Sequence, residues 1–309
     1  MKQIPEHHQI AREQVIEFMR TLSNWGRWGA EDQLGCLNYI TAERRRAAAA
    51  LVREGVTVSA SRALPTEAAP DNPHPVKHLM TSTGLDKQSV ASGDYFGLSP
   101  HGYATTHLDA LCHVFYKDVM YNGHARERVT PAGAELNSID ALRCGIFARG
   151  VLLDIPRTKQ RAWLEPGEAV IPDDLEQSEN FEAVRVQSGD FLLIRTGRFA
   201  YREKHGPWNA EERLAGLHAS CLPWIHQRQI AGLGCDGVSD VIPSQVQKIR
   251  LPIHLVGIVA MGLHLLDNAD LEALAEACGR YRRWEFLLVV APLVLLKGTA
   301  SPVNPVAIF

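Results

Sequence analysis

A chain of 309 residues, 46% of them hydrophobic and 22% charged, is long enough to bury a large core and too apolar for a disordered adaptor. Its 32 Lys plus Arg against 35 Asp plus Glu leave a formal charge of -3, which provides no long-range attraction for nucleic acid or an anionic membrane. A small, nearly neutral substrate fits that balance better.

The first twenty residues place Ile10, Val15, Phe18 and Met19, with Leu22 beyond, at helical spacing. They lack the continuous apolar stretch of a signal peptide, so the expected location is cytoplasmic. The six cysteines, at 36, 112, 144, 221, 235 and 278, form no CxxC pair and read as reduced thiols. From Asn24 to Asn38 glycines and tryptophans break the periodicity. In that loop Trp25 and Trp28 are candidate substrate contacts, or else they bury the loop against the core.

Thr41 is a cap for a helix over residues 42–54 with Gly55 as its stop. Four prolines in residues 65–80 predict an irregular excursion of the kind that carries specificity. Strands are expected at 145–154, 191–196 and 230–234, helix and turn over 172–184, and an amphipathic helix from Asp270 to Cys278 stopped by Gly279. Residues 286–296 read as buried core, too short to span a bilayer and interrupted by Pro292. This order predicts a single mixed α/β or α+β domain over 1–309, with an N-terminal helical and loop extension.

The segment from His101 to His113 gathers three histidines and one aspartate. If it is extended, the two-residue period puts His101, Tyr103, Thr105, His107, Asp109 and His113 on one face. His107 and Asp109 then offer the nitrogen and oxygen donors that zinc or manganese takes, and His113 is a proton-transfer group. A polar sheet edge that satisfies its own hydrogen bonds is the other reading. Cys112 would face away from His113 and pack. No GxSxG elbow is present for a serine nucleophile.

Thr106-His107-Leu108-Asp109-Ala110-Leu111-Cys112-His113 resembles the T-H-x-D-A-x-x-H motif of the cyclase-like metal hydrolases, a family that includes bacterial kynurenine formamidases and isatin hydrolases. The resemblance implies a mixed-sheet, swivelling β/β/α fold, His107 and Asp109 as metal ligands and His113 as general acid or base. It also implies His254, in Pro252-Ile-His254, as the distal ligand and Asp267 in the position commonly filled by Glu. Asp267 is otherwise a helix N-cap. The family usually carries a further histidine where this chain has Tyr103; His101 is a candidate substrate contact, or a substitute ligand if Gly102 turns the chain inward. A homodimer or homotetramer is implied as well.

These readings predict a hydrolase dependent on a divalent metal, Zn2+ or Mn2+, that acts on a small cyclic or aromatic amide, imide or lactone through metal-activated water and His113. Two alternatives stand beside it. One is a metal-free lyase, dehydratase or cyclase using Tyr103 and His113; the other is a small-ligand binding protein without turnover.

Overall fold

The computed structural model describes residues 4–309. Its centre is a nine-stranded mixed sheet. In chain order the strands used below are β1 (Thr57–Ser59), β2 (Lys77–Ser82), β3 (Gly93–Gly97), β4 (His107–Asp109), β5 (Ile146–Asp154), β6 (Phe191–Arg195), β7 (Gly232–Cys235), β8 (His264–Asp267), β9 (Glu285–Val290), β10 (Ala300–Pro302) and β11 (Val306–Ile308). The sheet order is β1-β11-β9-β5-β6-β7-β8-β4-β10. The four neighbours β5 to β8 run parallel, and the strands outside them are antiparallel.

Burial follows from that layout. Parallel strands covered on both faces need continuous apolar sequence, and Phe191-Leu-Leu-Ile and Val151-Leu-Leu supply it with every residue buried. Gly232 is required on β7 because a Cβ there would meet the Phe191 ring at 2.3 Å. The helices α1 (Arg12–Thr21), α2 (Ala42–Ala49), α3 (Pro172–Phe181), α4 (Arg198–His205), α5 (Cys221–Arg228) and α6 (Glu272–Tyr281) accompany the sheet. One buried cluster runs from Val15 to Phe309. Among the described residues no helix is long and apolar enough to cross a membrane. All six cysteines are free, as expected.

The expected mixed sheet is present, and several boundaries differ from the sequence reading for identifiable reasons. Thr41 does cap α2, accepting from the Arg44 N–H, but the helix stops at Ala49 and not at Glu54. Beyond it the Leu51 carbonyl accepts from Arg283, and the Glu54 and Gly55 amides donate to the Phe309 carbonyl, so tertiary bonds replace helical ones. Helix α6 passes through Gly279 and ends at Tyr281, where Arg282 takes the left-handed conformation. Residues 65–76 are irregular as expected, but Lys77 begins a β2–β3 hairpin. The apolar run after β9 is not all core: past Pro292, residues Leu293 to Leu296 are exposed.

Candidate metal centre

Sheet register brings the motif together. His107 and Asp109 are two apart on β4, and His107 lies directly opposite Asp267 on β8, so these side chains share one face. The expected long strand from His101 does not form; β4 holds three residues and the chain before it turns. Gly102 makes that turn at φ 119°, a conformation closed to other residues at low cost. Asn268 donates to the carbonyls of Gly102 and Thr105, and Thr106 Oγ1 donates to the Asn268 carbonyl. The bend is thereby fixed and carries His101 inward.

The result is a buried cluster centred on Asp109, which is fully inaccessible. His101 Nδ1 and His107 Nε2 lie 3.1 and 3.4 Å from Asp109 Oδ1. On the other carboxylate oxygen, His254 Nε2 lies 3.6 Å from Oδ2 and 3.2 Å from Asp267 Oδ2. The same residues divide into two sets, His101–His107–Asp109 and Asp109–His254–Asp267, each with donor atoms within 4.8 Å of one another.

The outer nitrogens of these rings are already engaged. His107 Nδ1 donates to the Thr105 carbonyl at 2.8 Å, and His254 Nδ1 to Asp240 Oδ2 at 2.7 Å. His101 Nε2 meets Thr299 Oγ1 at 3.0 Å. With Nδ1 holding the ring proton, a neutral His107 or His254 presents an Nε2 lone pair toward carboxylate oxygens, which also present lone pairs. Neither oxygen of Asp109, nor His101 Nδ1, has a hydrogen-bond partner. Buried acceptors facing one another at these distances are costly unless a proton on an inner nitrogen or a metal cation stands among them. Mixed imidazole and carboxylate donors suit zinc or manganese, so the residues present fit a divalent ion.

Electrostatics agree. Burial resists ionisation of Asp109, but the charge that His113 takes up in acid and the His101 and His107 contacts outweigh it and hold the carboxyl well below its usual range. Burial likewise opposes protonation of His254, yet the Asp267 charge and the contacts with Asp240 and Asp267 raise it well above the ordinary imidazole value. Such a site attracts cations.

His113 stands apart from the ligand sets. Its ring stacks on His101 with centroids 3.7 Å apart, and burial, with the histidines around it, pushes it down to about 4 against the pull of Asp109. It is neutral at physiological pH and can accept a proton. Burial pushes the adjacent Cys112 thiol up to about 12, consistent with packing.

Other sequence expectations fare differently. Asp267 is no N-cap: it ends β8, and the Glu272 amide at the start of α6 is held by Asp270. His101, expected as a substrate contact or a substitute ligand, lies with the ligand donors while also bordering a cavity of about 400 Å³. Tyr103 borders that cavity too, with residues 70–74 of the proline-rich excursion, and its hydroxyl accepts from Arg250 at 3.2 Å. His113 and His254 border a second cavity, of about 390 Å³. Tyr103 and His113 thus do not share a cavity.

Trp25 and Trp28 line neither. Trp25 Nε1 donates to the Val259 carbonyl, and Trp28 packs edge-on to Tyr39 with Arg27 over both rings. They anchor the loop within the chain, assisted by Gly35, whose backbone lies against Gly262 so closely that a Cβ would fall 2.0 Å from the carbonyl oxygen.

Two residues escaped the sequence reading. Asp240 accepts from the Ile253 amide at 2.7 Å, the His254 amide at 3.1 Å and His254 Nδ1. His264 Nδ1, from the neighbouring strand β8, donates to the Asp109 carbonyl at 2.9 Å. A buried aspartate in a non-periodic loop gives no local signal of its partner.

The arrangement defines a mixed-sheet α/β protein with a histidine–aspartate cluster set near one end of its sheet. The family model described as "Putative cyclase" matches residues 57–240. The chain belongs to that cyclase family. A crystal structure described as a novel cyclase is similar at TM-score 0.86 and 30% identity, over 94% of this chain and 100% of that one. Isatin hydrolase A from Ralstonia solanacearum is similar at TM-score 0.58 and 20% identity, over 86% of this chain and 97% of that one. A predicted metal-dependent hydrolase from Bacillus stearothermophilus is similar at TM-score 0.52 and 14% identity, over 82% and 97%. A sequence comparison with curated proteins returned no match.

Proposed function

We propose that the protein is a divalent-metal-dependent hydrolase of a small cyclic or aromatic amide, imide or lactone, with His101, His107, Asp109, His254 and Asp267 as the metal ligands. The single observation that carries this reading is the unpartnered carboxylate of Asp109, fully buried, with imidazole nitrogens on both of its oxygens. Its Oδ1 faces His101 and His107 and its Oδ2 faces His254, so the two donor sets would share this carboxylate. The names of the isatin hydrolase and metal-dependent hydrolase neighbours point the same way.

A divalent ion supplies Lewis acidity toward a carbonyl and lowers the pKa of water, and the chain's own residues do the rest. Thr105, Thr299 and Asp240 fix the ring orientations. His113, neutral and bordering the second cavity, takes a proton from the attacking water and returns it to the leaving nitrogen or oxygen.

We also propose a homodimer or homotetramer. The β2–β3 hairpin exposes Leu79, Met80, Tyr95 and Phe96, and a two-stranded ribbon left uncovered is marginal in water. Solution mass tests this; a monomer would reject it. The catalytic reading is tested by elemental analysis of natively purified protein and a screen of carboxamides, imides and lactones before and after chelation. Turnover lost on chelation and restored by metal supports it. Metal-poor protein whose turnover ignores chelator rejects it.

A further inference from the structure

The second cavity carries a charge pattern that the hydrolase reading does not require. Arg12, Lys248 and Arg250 all border it, and no acidic residue does. This reverses the balance of the whole chain, whose formal charge is -3. Its remaining wall is largely apolar, with Ile16 of α1, Val114, Leu251 and Leu255. The reacting end is marked by His113 and His254.

The cations are not consumed by strong internal pairs. Arg12 comes only within 3.9 Å of Glu13, and Arg250 within 3.5 Å of Glu211, with all four side chains largely exposed. Exposed pairs of that length contribute little and are readily exchanged for a better anion.

We propose that this cavity binds an organic carboxylate: the substrate joins an apolar body, carrying the scissile amide or lactone, to an anionic group that Arg12 and Lys248 recognise. Guanidinium and ammonium groups make charge-assisted bonds to a carboxylate, while the apolar walls desolvate the ring or chain attached to it. The inference deepens the hydrolase reading and rests on it for the identity of the scissile bond alone. It amends the sequence-based expectation of a nearly neutral substrate.

The test uses a matched pair of fluorescent probes, 2-aminobenzoate and 2-aminobenzamide, titrated into the full-length protein in metal-loaded and chelator-treated form. The expected result is a preference of about tenfold for the carboxylate in both forms, weakened by salt. The preference is lost in the Arg12→Ala/Lys248→Ala double variant, which keeps its melting temperature and metal content because both positions are exposed. Lys248→Glu alone lowers it in the same direction. Equal affinity for the two probes, or a preference untouched by the double variant, overturns the proposal. So does a preference that vanishes on chelation, which would assign the anion to the metal instead. Failure of every amide, imide and lactone to turn over, with the carboxylate preference intact and abolished by the double variant, would reject the hydrolase reading and leave the anion site supported.

Discussion

Replacing Asp240 by asparagine probes how the ligand set is held. Asp240 is fully buried and touches no proposed metal position, yet it accepts three hydrogen bonds, two of them from His254. The charged acceptor keeps the His254 proton on Nδ1 and so leaves Nε2 free to face Asp109 and Asp267. An amide at the same place retains one acceptor oxygen, turns an NH2 group toward a neighbouring donor and removes the charge. Loss of such support typically costs 10- to 100-fold in metal affinity, about 1.4 to 2.7 kcal/mol. One buried N–H left without its acceptor adds roughly 1–3 kcal/mol to the loss of stability. The assay is a competition titration with a chromophoric chelator, paired with nitrogen NMR of the His254 ring, which reports which nitrogen carries the proton. Asp240→Asn is expected to weaken metal binding within that range and to redistribute the His254 proton. A folded variant with wild-type affinity and an unchanged tautomer would refute the reasoning.

Three further outcomes follow from the same geometry. His113→Ala should lower kcat by about 10²- to 10⁴-fold while leaving metal content unchanged; metal loss would instead make His113 a ligand. Tyr103→Phe should keep turnover within about fivefold, since its hydroxyl meets the exposed Arg250 and a single such bond is worth about 1 kcal/mol; a folded, inactive variant would restore the phenol to the chemistry. Away from the site, burial pushes the Glu182 carboxyl from 4.5 up to about 8, against the Asp154 amide that donates to it. The folded chain then holds a proton the unfolded chain releases, so this contribution is complete below pH 4.5 and lost as pH rises through about 8. Glu182→Gln should match the wild type in acid and exceed it by on the order of 3 kcal/mol at neutral pH, read from thermal melts across pH; an advantage independent of pH would contradict the assignment.

Much of the site was legible because it is local. His107, Asp109 and His113 stand within seven residues, and the two-residue period of a strand already puts the first two on one face. The strands β5 and β6 announce themselves as apolar runs too continuous for a half-exposed sheet. What stayed hidden depends on contacts distant in sequence. The inward turn of His101 needs Gly102 at positive φ and Asn268 to hold it, 166 residues away. Asp240 sits in a non-periodic loop, so nothing nearby identifies His254 as its partner. Trp25 and Trp28 were ambiguous because aromatic residues in a glycine-rich loop serve a ligand or a core equally well, and here their contacts are with Val259 and Tyr39. Leu293 to Leu296 have the composition of core, but strand pairing stops at Val290 and Pro292 prevents its extension.

The unpartnered carboxylate of Asp109 is read as the holder of divalent cations. Crystals grown with manganese or zinc and measured at the metal's absorption edge give the direct test through anomalous scattering. Density is expected on both sides of Asp109, one position bounded by His101 and His107 and the other by His254 and Asp267, with ligand distances of about 2.0–2.2 Å. A map with no peak at Asp109, from protein shown by elemental analysis to carry the metal elsewhere, would contradict it.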